Sequence, residues 1–442
     1  MADFTPHTEE EIASMLAFCG LTSIDDLFVA VPQAIRLAAG DLRVAPGLSE
    51  FDTMGVIQGL AARNLSGREL ICFAGGGAYD HDIPAIVRRV GFRAEFVTAY
   101  TPYQPEVAQG VLQALFEYQT LISRLTGLPI ANASLYDGAT ATVEAVNLAV
   151  AATGSPRLLL SSALNPRTRE VVDTFAAGTG HQAESVALTA TGASDWSSAA
   201  GGPAAAVVVQ YPNYLGVIED LAAARAAASA HDALLIVVMD PVAVGLLRSP
   251  GEYGADVVVG EGQPFGTPLS LGGPYLGLFA CRQEHVRRLP GRLVGETVDT
   301  QGATSYVTTL RTREQDIRRE KASSNVCTNQ TLIAVCCAIQ LGWLGPDGLR
   351  ELALRCARGT RYTRDAMLAL DGVVPLVDGA VLREFAVTTP IAPSTLIERM
   401  ADEGYLAGIA LPDDRGLLVS VTERRTRSEI DGYLSTFEKV IR

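Results

Sequence analysis

Lysine is almost missing from this chain. Among 442 residues only Lys321 and Lys439 are lysines, against 33 arginines. A genomic preference for arginine and alanine explains the bias. Its consequence is chemical: a reaction that needs a lysine amine has two candidates here. Other absences narrow the field. The seven cysteines, Cys19, Cys72, Cys281, Cys327, Cys336, Cys337 and Cys356, form no C-x-x-C pair and are odd in number. Free thiols in a reducing cytoplasm are expected rather than a disulfide framework. The five histidines lack metal-ligand spacing, so no metal site is expected. No G-x-x-x-x-G-K-[ST] loop and no G-x-S-x-G elbow occurs. No apolar run reaches membrane length. The best, TLIAVCCAIQLGWLG (331–345), carries Gln340 and reads as a buried helix. The opening MADFTPHTEEEIASM is acidic and polar, unlike a signal or transit peptide. A net charge of −14, spread along the chain, argues against nucleic acid as a partner.

What is present is an apolar chain, 48% hydrophobic, long enough for a large domain and a smaller one. Residues 1–65 predict a helical arm. Thr8 and Glu11 fit a capping box, Ser23 starts a second helix that stops near Pro32, and Ser49 caps a third. From 66 to 325 the pattern alternates and predicts a large α/β domain. Strand-like runs occur at ELICFA, PRLLLS, AAAVVVQ, ALLIVVMD, ADVVVG and YLGLFAC, with helical stretches between several of them. Runs apolar on both faces predict a mostly parallel sheet covered by helices. Residues 290–325 turn polar and arginine-rich. Residues 326–442 predict a linking helix and a small α+β domain, with strands at REFAVTT and GLLVSVT and helices at PSTLIERMADEG and SEIDGYLSTFEKVI.

Several short stretches carry candidate chemistry, each with a plainer alternative. FAGGGAYDHDIP (73–84) is a partial match to a dinucleotide fingerprint, with Asp80 in place of the third glycine. A tight turn that lines a site, with Tyr79, Asp80 and His81, is the preferred reading. TAYTPYQPEVAQG (98–110) is rigid and aromatic, so Tyr100, Tyr103, Gln104 and Glu106 either wall a site or, for Glu106, serve the following helix dipole. Asp137, Gly138 and Thr140 open a helix, either as an anion site or as simple capping. Asp240 ends a strand, where it either pairs with a pyridine nitrogen or turns the chain. Arg313, Arg318, Arg319, Lys321, Ser323, Ser324, Asn325 and Thr328 form a solvated loop or an anion-binding surface.

Taken together, YDHDIP, TAYTPYQPEVAQGVLQALFEYQT, ANASLYDGATA, GEYGADVVVGEGQPFGTPLSLGGPYLG and TREQDIRREKASSNVCTNQ resemble the glycine cleavage system P protein. The likeness is to the N-terminal-half subunit of its split bacterial form and covers nearly the whole chain. The resemblance implies a pyridoxal-phosphate-dependent transferase fold of the aspartate aminotransferase type. It implies that glycine loses its carboxylate as CO₂ and that the aminomethyl group passes to the lipoyl arm of the H protein, with T and L proteins completing the system. The cofactor lysine belongs to a second subunit, with two copies of each. Here Gln263 stands near the lysine's place, and glutamine forms no imine. Asp240, Gly138 and Thr140 are then vestiges, and no cofactor is assigned to this chain. The resemblance places Tyr100, Tyr103, Gln104, Glu106, Tyr79 and His81 on a wall of the shared site. It places Arg319, Lys321, Ser324 and Asn325 as contacts to the partner. Three alternatives remain open: a scaffold or regulatory subunit, a self-sufficient aminotransferase-like enzyme using Lys321, and a nicotinamide dehydrogenase resting on Gly75 and Gly77.

Overall fold

The computed structural model describes residues 6–442 except 38–41, 68, 99, 271 and 327, so Cys327 lies outside the described residues. The chain falls into two units, residues 1–65 and 66–442.

In the first unit, Thr8 and Glu11 exchange backbone–side chain hydrogen bonds of 2.7 and 3.3 Å and start the helix Glu9–Phe18. The expected second helix is only a 3₁₀ segment, Ile24–Phe28. The Asp26 carboxylate accepts the N–H groups of Thr22 and Ser23 at 2.9 and 2.8 Å, which holds the tighter turn. Ser49 caps the helix Glu50–Ala61. None of these elements has a buried residue. Phe18, Val29 and Phe51 stay exposed, and the described residues of this unit form no buried core.

The second unit is built on a seven-stranded sheet. Its strands lie in the order 130–131, 277–281, 257–261, 234–239, 206–211, 157–161, 182–186. The last five are mutually parallel, and the strands at 277–281 and 130–131 are antiparallel to their neighbours. Valine, leucine and isoleucine fill the central strands because both faces are covered. On one face Leu159, Val207, Val237 and Val258 pack with Leu112, Leu115 and Ile122 of the helix Gln109–Thr126. On the other, Leu158, Val208, Ile236 and Val259 pack with Val143 and Val146 of the helix Gly138–Thr153. The layers are helix, sheet, helix.

Two segments differ from the sequence reading. The apolar stretch ELICFA does not join the large sheet. Ile71–Cys72 pairs in parallel with Tyr405–Leu406, and Phe73 stacks on Tyr433 with ring centroids 4.0 Å apart. Its aromatic side chain finds the C-terminal core, shared with Phe385, Val419 and Phe437. The polar region after 290 is not irregular throughout: Leu293–Val298 and Thr304–Thr309 form an antiparallel hairpin. Its strands are mostly half-exposed, so polar residues are tolerated along them.

The helix Thr331–Leu368 is broken at Gly345, whose φ of 59° suits glycine, and Pro346 starts the second half. By length and composition it is the one described helix that could cross a membrane. Ala334, Cys337 and Leu341 instead belong to the core beneath the sheet. The C-terminal sheet is antiparallel, in the order 374–375, 384–388, 417–420, 409–410. The helices Pro393–Asp402 and Arg427–Ile441 cover it through Leu396, Met400, Ile430 and Phe437.

Candidate functional site

The carboxyl ends of the strands at 234–239 and 257–261 open onto a cavity of about 310 Å³. Gly75 to Tyr79, Asp137, Gly138, Asp240, Glu261, Tyr275 and Arg383 line it. Such a position above a mostly parallel sheet is where α/β folds hold ligands.

Three buried groups organise it. Gln263 is 0% exposed. Its carboxamide accepts from the Tyr79 N–H at 2.9 Å and donates to the carbonyls of Tyr79 at 3.0 Å and Thr267 at 2.8 Å. The side chain works as a clasp between two loops. Glu261 accepts the N–H groups of Gly138, Gln263 and Leu276, each at 2.9 Å. Gly138 permits this close approach: a Cβ there would lie 3.1 Å from the Glu261 side chain and backbone and would press on both. Asp137 caps the same helix through the Thr140 N–H at 2.8 Å, so the plain capping reading of Asp137 and Thr140 is what the structure shows.

The third group is Arg383, 3% exposed, at the head of a C-terminal strand. Its guanidinium pairs with Asp240 at 2.6 Å, bonds the His81 Nε2 at 2.6 Å, and lies 3.4 Å from the centre of the Tyr79 ring. A guanidinium has no acceptor, so Nε2 of His81 accepts and Nδ1 carries the proton to Glu423, 2.6 Å away. Glu384 takes the Gly76 N–H at 2.6 Å and the Tyr79 hydroxyl at 2.7 Å. His81, Cys356 and Glu423 lie close enough together to suggest a metal cluster. Burial pushes the Cys356 thiol up, and Arg383 faces the histidine, so the set is a poor cation site.

Burial pushes the Glu261 carboxyl up to about 7 against the pull of its three N–H donors. Between pH 4.5, where the unfolded side chain ionises, and about 7, the folded chain holds a proton that the unfolded chain has lost. Stability is expected to fall as pH rises through this window, by at most ~1.4 kcal/mol per pH unit for one proton. Glu384 and Glu219 are also raised by burial, so the readout is the difference between wild type and Glu261→Ala in urea midpoints from pH 4.5 to 8. Parallel curves would remove Glu261 as the source.

The sequence-predicted residues separate into three places. Tyr79 lines this cavity and His81 lies buried behind it. Tyr100, Tyr103 and Gln104 line a second cavity of about 510 Å³ with Thr98, Val107 and Val111. Glu106 is exposed in the 3₁₀ turn Pro105–Val107, ahead of the long helix rather than inside its first turn. Tyr103 is 40% exposed and sits between two guanidiniums, Arg292 at 4.8 Å and Arg311 at 5.0 Å from its ring centre. Arg292 also donates to its hydroxyl. Arg319, Lys321 and Asn325 are exposed and Ser324 is half-buried, in a loop where Arg319 adopts a φ of 54°. Sequence reasoning missed Glu261, Arg292, Arg383, Glu384 and Glu423. The only signal was a charged residue at the edge of an apolar run, as in VVVGE and REFAV.

The glycine cleavage system P-protein family description matches residues 2–437. Curated relatives include the probable glycine dehydrogenase (decarboxylating) subunit 1 of Prosthecochloris aestuarii, 44% identical over 98% of both chains. That of Desulforamulus reducens is 45% identical over 97% of both. A crystal structure of glycine decarboxylase (P-protein) of the glycine cleavage system, in inhibitor-bound form, superposes with a TM-score of 0.92 at 41% identity, covering 99% of this chain and all of the other. A Burkholderia pseudomallei sphingosine-1-phosphate lyase shares the fold at TM-score 0.61 and 16% identity over 93% of this chain and 94% of that one. The fold is that of the pyridoxal-phosphate-dependent transferases.

Proposed function

The chain belongs to the glycine cleavage system P-protein family, in the subunit 1 form, and from that premise we propose that it is the lysine-free half of a glycine-decarboxylating site. As a glycine dehydrogenase (decarboxylating) subunit it needs a partner subunit. In this reading the partner holds pyridoxal phosphate on its own lysine, and this chain closes the pocket from the side. When bound there, the cofactor supplies the electron sink that glycine decarboxylation requires. The aminomethyl group then goes to the lipoyl arm of an H protein, with T and L proteins downstream. Two copies of each subunit and a reducing cytoplasm fit the same reading; six described cysteines are free thiols.

The observation that carries the proposal is Gln263. By the resemblance it lies near the place of the cofactor lysine, and it is fully enclosed, with its carboxamide committed to backbone partners. A residue so engaged is neither a nucleophile nor a free ligand. This chain's exposed groups remain to serve the partner's site: Tyr100, Tyr103, Gln104 and Glu106 on one face, Arg319, Lys321, Ser324 and Asn325 on the arginine-rich loop. Tyr79 and His81 act only indirectly, by fixing the buried network.

Glycine–CO₂ exchange should be absent with either subunit alone and appear when both are mixed. Borohydride reduction of the active mixture should label a lysine of the partner subunit. Exchange by this chain alone, or a reduced adduct on Lys321, would make it a self-sufficient enzyme and sink the proposal.

A further inference from the structure

Pyridoxal-phosphate enzymes of this fold hold their cofactor through a lysine imine, an acid opposite the pyridine nitrogen and a helix N-terminus under the phosphate. The corresponding positions here do not fit the group. We infer that the inherited pocket is plugged from within: the Glu261 carboxyl group takes the anion position on the helix Gly138–Thr153, the Arg383 guanidinium takes the cationic place beside Asp240, and the Gln263 carboxamide fills the place of the lysine.

Each substitution reproduces the interaction the cofactor would have made. A helix N-terminus presents free N–H groups that attract an anion. Here Gly138 donates to Glu261 at 2.9 Å and Thr140 to Asp137 at 2.8 Å. An arriving phosphate meets two acidic side chains already holding the donors it needs. At the other end, Asp240 accepts from Arg383 at 2.6 Å and from the Val242 N–H at 2.9 Å. A pyridinium nitrogen at Asp240 would have to displace or crowd a buried guanidinium from the carboxylate it pairs with at 2.6 Å, placing two cations side by side. The cavity of about 310 Å³ keeps its room and has lost its handles.

The plug also has a mechanical role. Arg383 and Glu384 come from the C-terminal sheet, Asp240 and Glu261 from the large sheet, and Tyr79 from the loop between them in space. Gln263 holds Tyr79, and Tyr79 holds Glu384 and lies against Arg383. The contacts that a cofactor would bridge are replaced by a permanent pin between the two sheets.

The test uses pyridoxine 5′-phosphate, which carries ring and phosphate but no aldehyde, so that Lys321 and Lys439 cannot capture it. Titrated calorimetrically into the full-length chain, it should give no saturable binding up to about 1 mM. Glu261→Ala, and Arg383→Met separately, should each bind it at least tenfold more tightly than wild type. Inorganic phosphate, reading the helix terminus alone, should gain affinity only with Glu261→Ala. Circular dichroism checks that each variant is folded. If Glu261→Ala is not, the isosteric and neutral Glu261→Gln is read in its place. Wild-type binding with a Kd below about 100 μM overturns the inference. So does a folded Glu261 variant that gains affinity for neither ligand. These readouts need no partner subunit, so they stand or fall apart from the exchange activity.

Discussion

Arg383→Met is expected to cost the chain ~3–5 kcal/mol of stability, because it leaves Asp240 with no counter-charge in a largely buried site. His81 loses its donor and the Tyr79 ring loses its cation in the same step. At roughly 2.1 cal/mol/K of unfolding entropy per residue, a unit of this length should melt about 4–6 °C lower. Arg383→Lys should recover only part of the loss, since an ammonium can restore a charge beside Asp240 but cannot also bond His81 and lie flat on a tyrosine ring. Arg383→Met combined with Asp240→Asn should be more stable than Arg383→Met alone, since the orphaned charge is gone. A melting temperature unchanged within 1 °C for the single variant would mean that the pin carries no load. A double variant no better than the single would shift the cost from charge to packing.

The second large effect is on turnover. Tyr103→Phe removes the hydroxyl that receives the Arg292 N–H and leaves the ring between Arg292 and Arg311. Tyr103 is half-exposed at the edge of the second cavity, so water can replace the hydroxyl, and stability should change by less than ~1 kcal/mol. In the assembled two-subunit enzyme, glycine–CO₂ exchange should fall by about tenfold or more, mostly in kcat. Glu106→Gln, on the exposed turn beside it, should act in the same direction. The pairing of a large kinetic loss with a small thermal shift separates a site wall from a scaffold. Full exchange in both variants would remove this segment from the site and favour the scaffold reading.

The five inner strands of the large sheet were legible because both of their faces are buried, which leaves unbroken runs such as LLLS and LLIVVM; the edge strands Ile130–Ala131 and Gln182–Val186 were not, the first being two residues long and the second mostly exposed or half-exposed. The hairpin at 293–309 was not, since its strands are mostly half-exposed or exposed and read as polar. The candidate site was half legible. Gln263 could be placed by register against a G-G-P turn, and Asp240 by its strand end. Their partners could not, because Tyr79 and Glu384 meet across 305 residues of chain and His81 and Glu423 across 342. Nothing local in VLREF announces that its arginine will face a strand-end aspartate. Chemistry that depends on distant pairs becomes visible only when the sheets are docked. The arm illustrates the converse. Its caps at Thr8 and Ser49 were readable from three-residue spacings, whereas the lack of a buried core among its described residues was not.

Gln263 also bears on heredity. Glutamine and lysine codons differ by a single base, so a lysine at this position is always one mutation away. It would not restore a cofactor site. The new ammonium would enter an enclosed space with no carboxylate released to meet it, and the clasp on Tyr79 and Thr267 would be lost. A lysine introduced there alone would therefore weaken the fold before it could offer any activity.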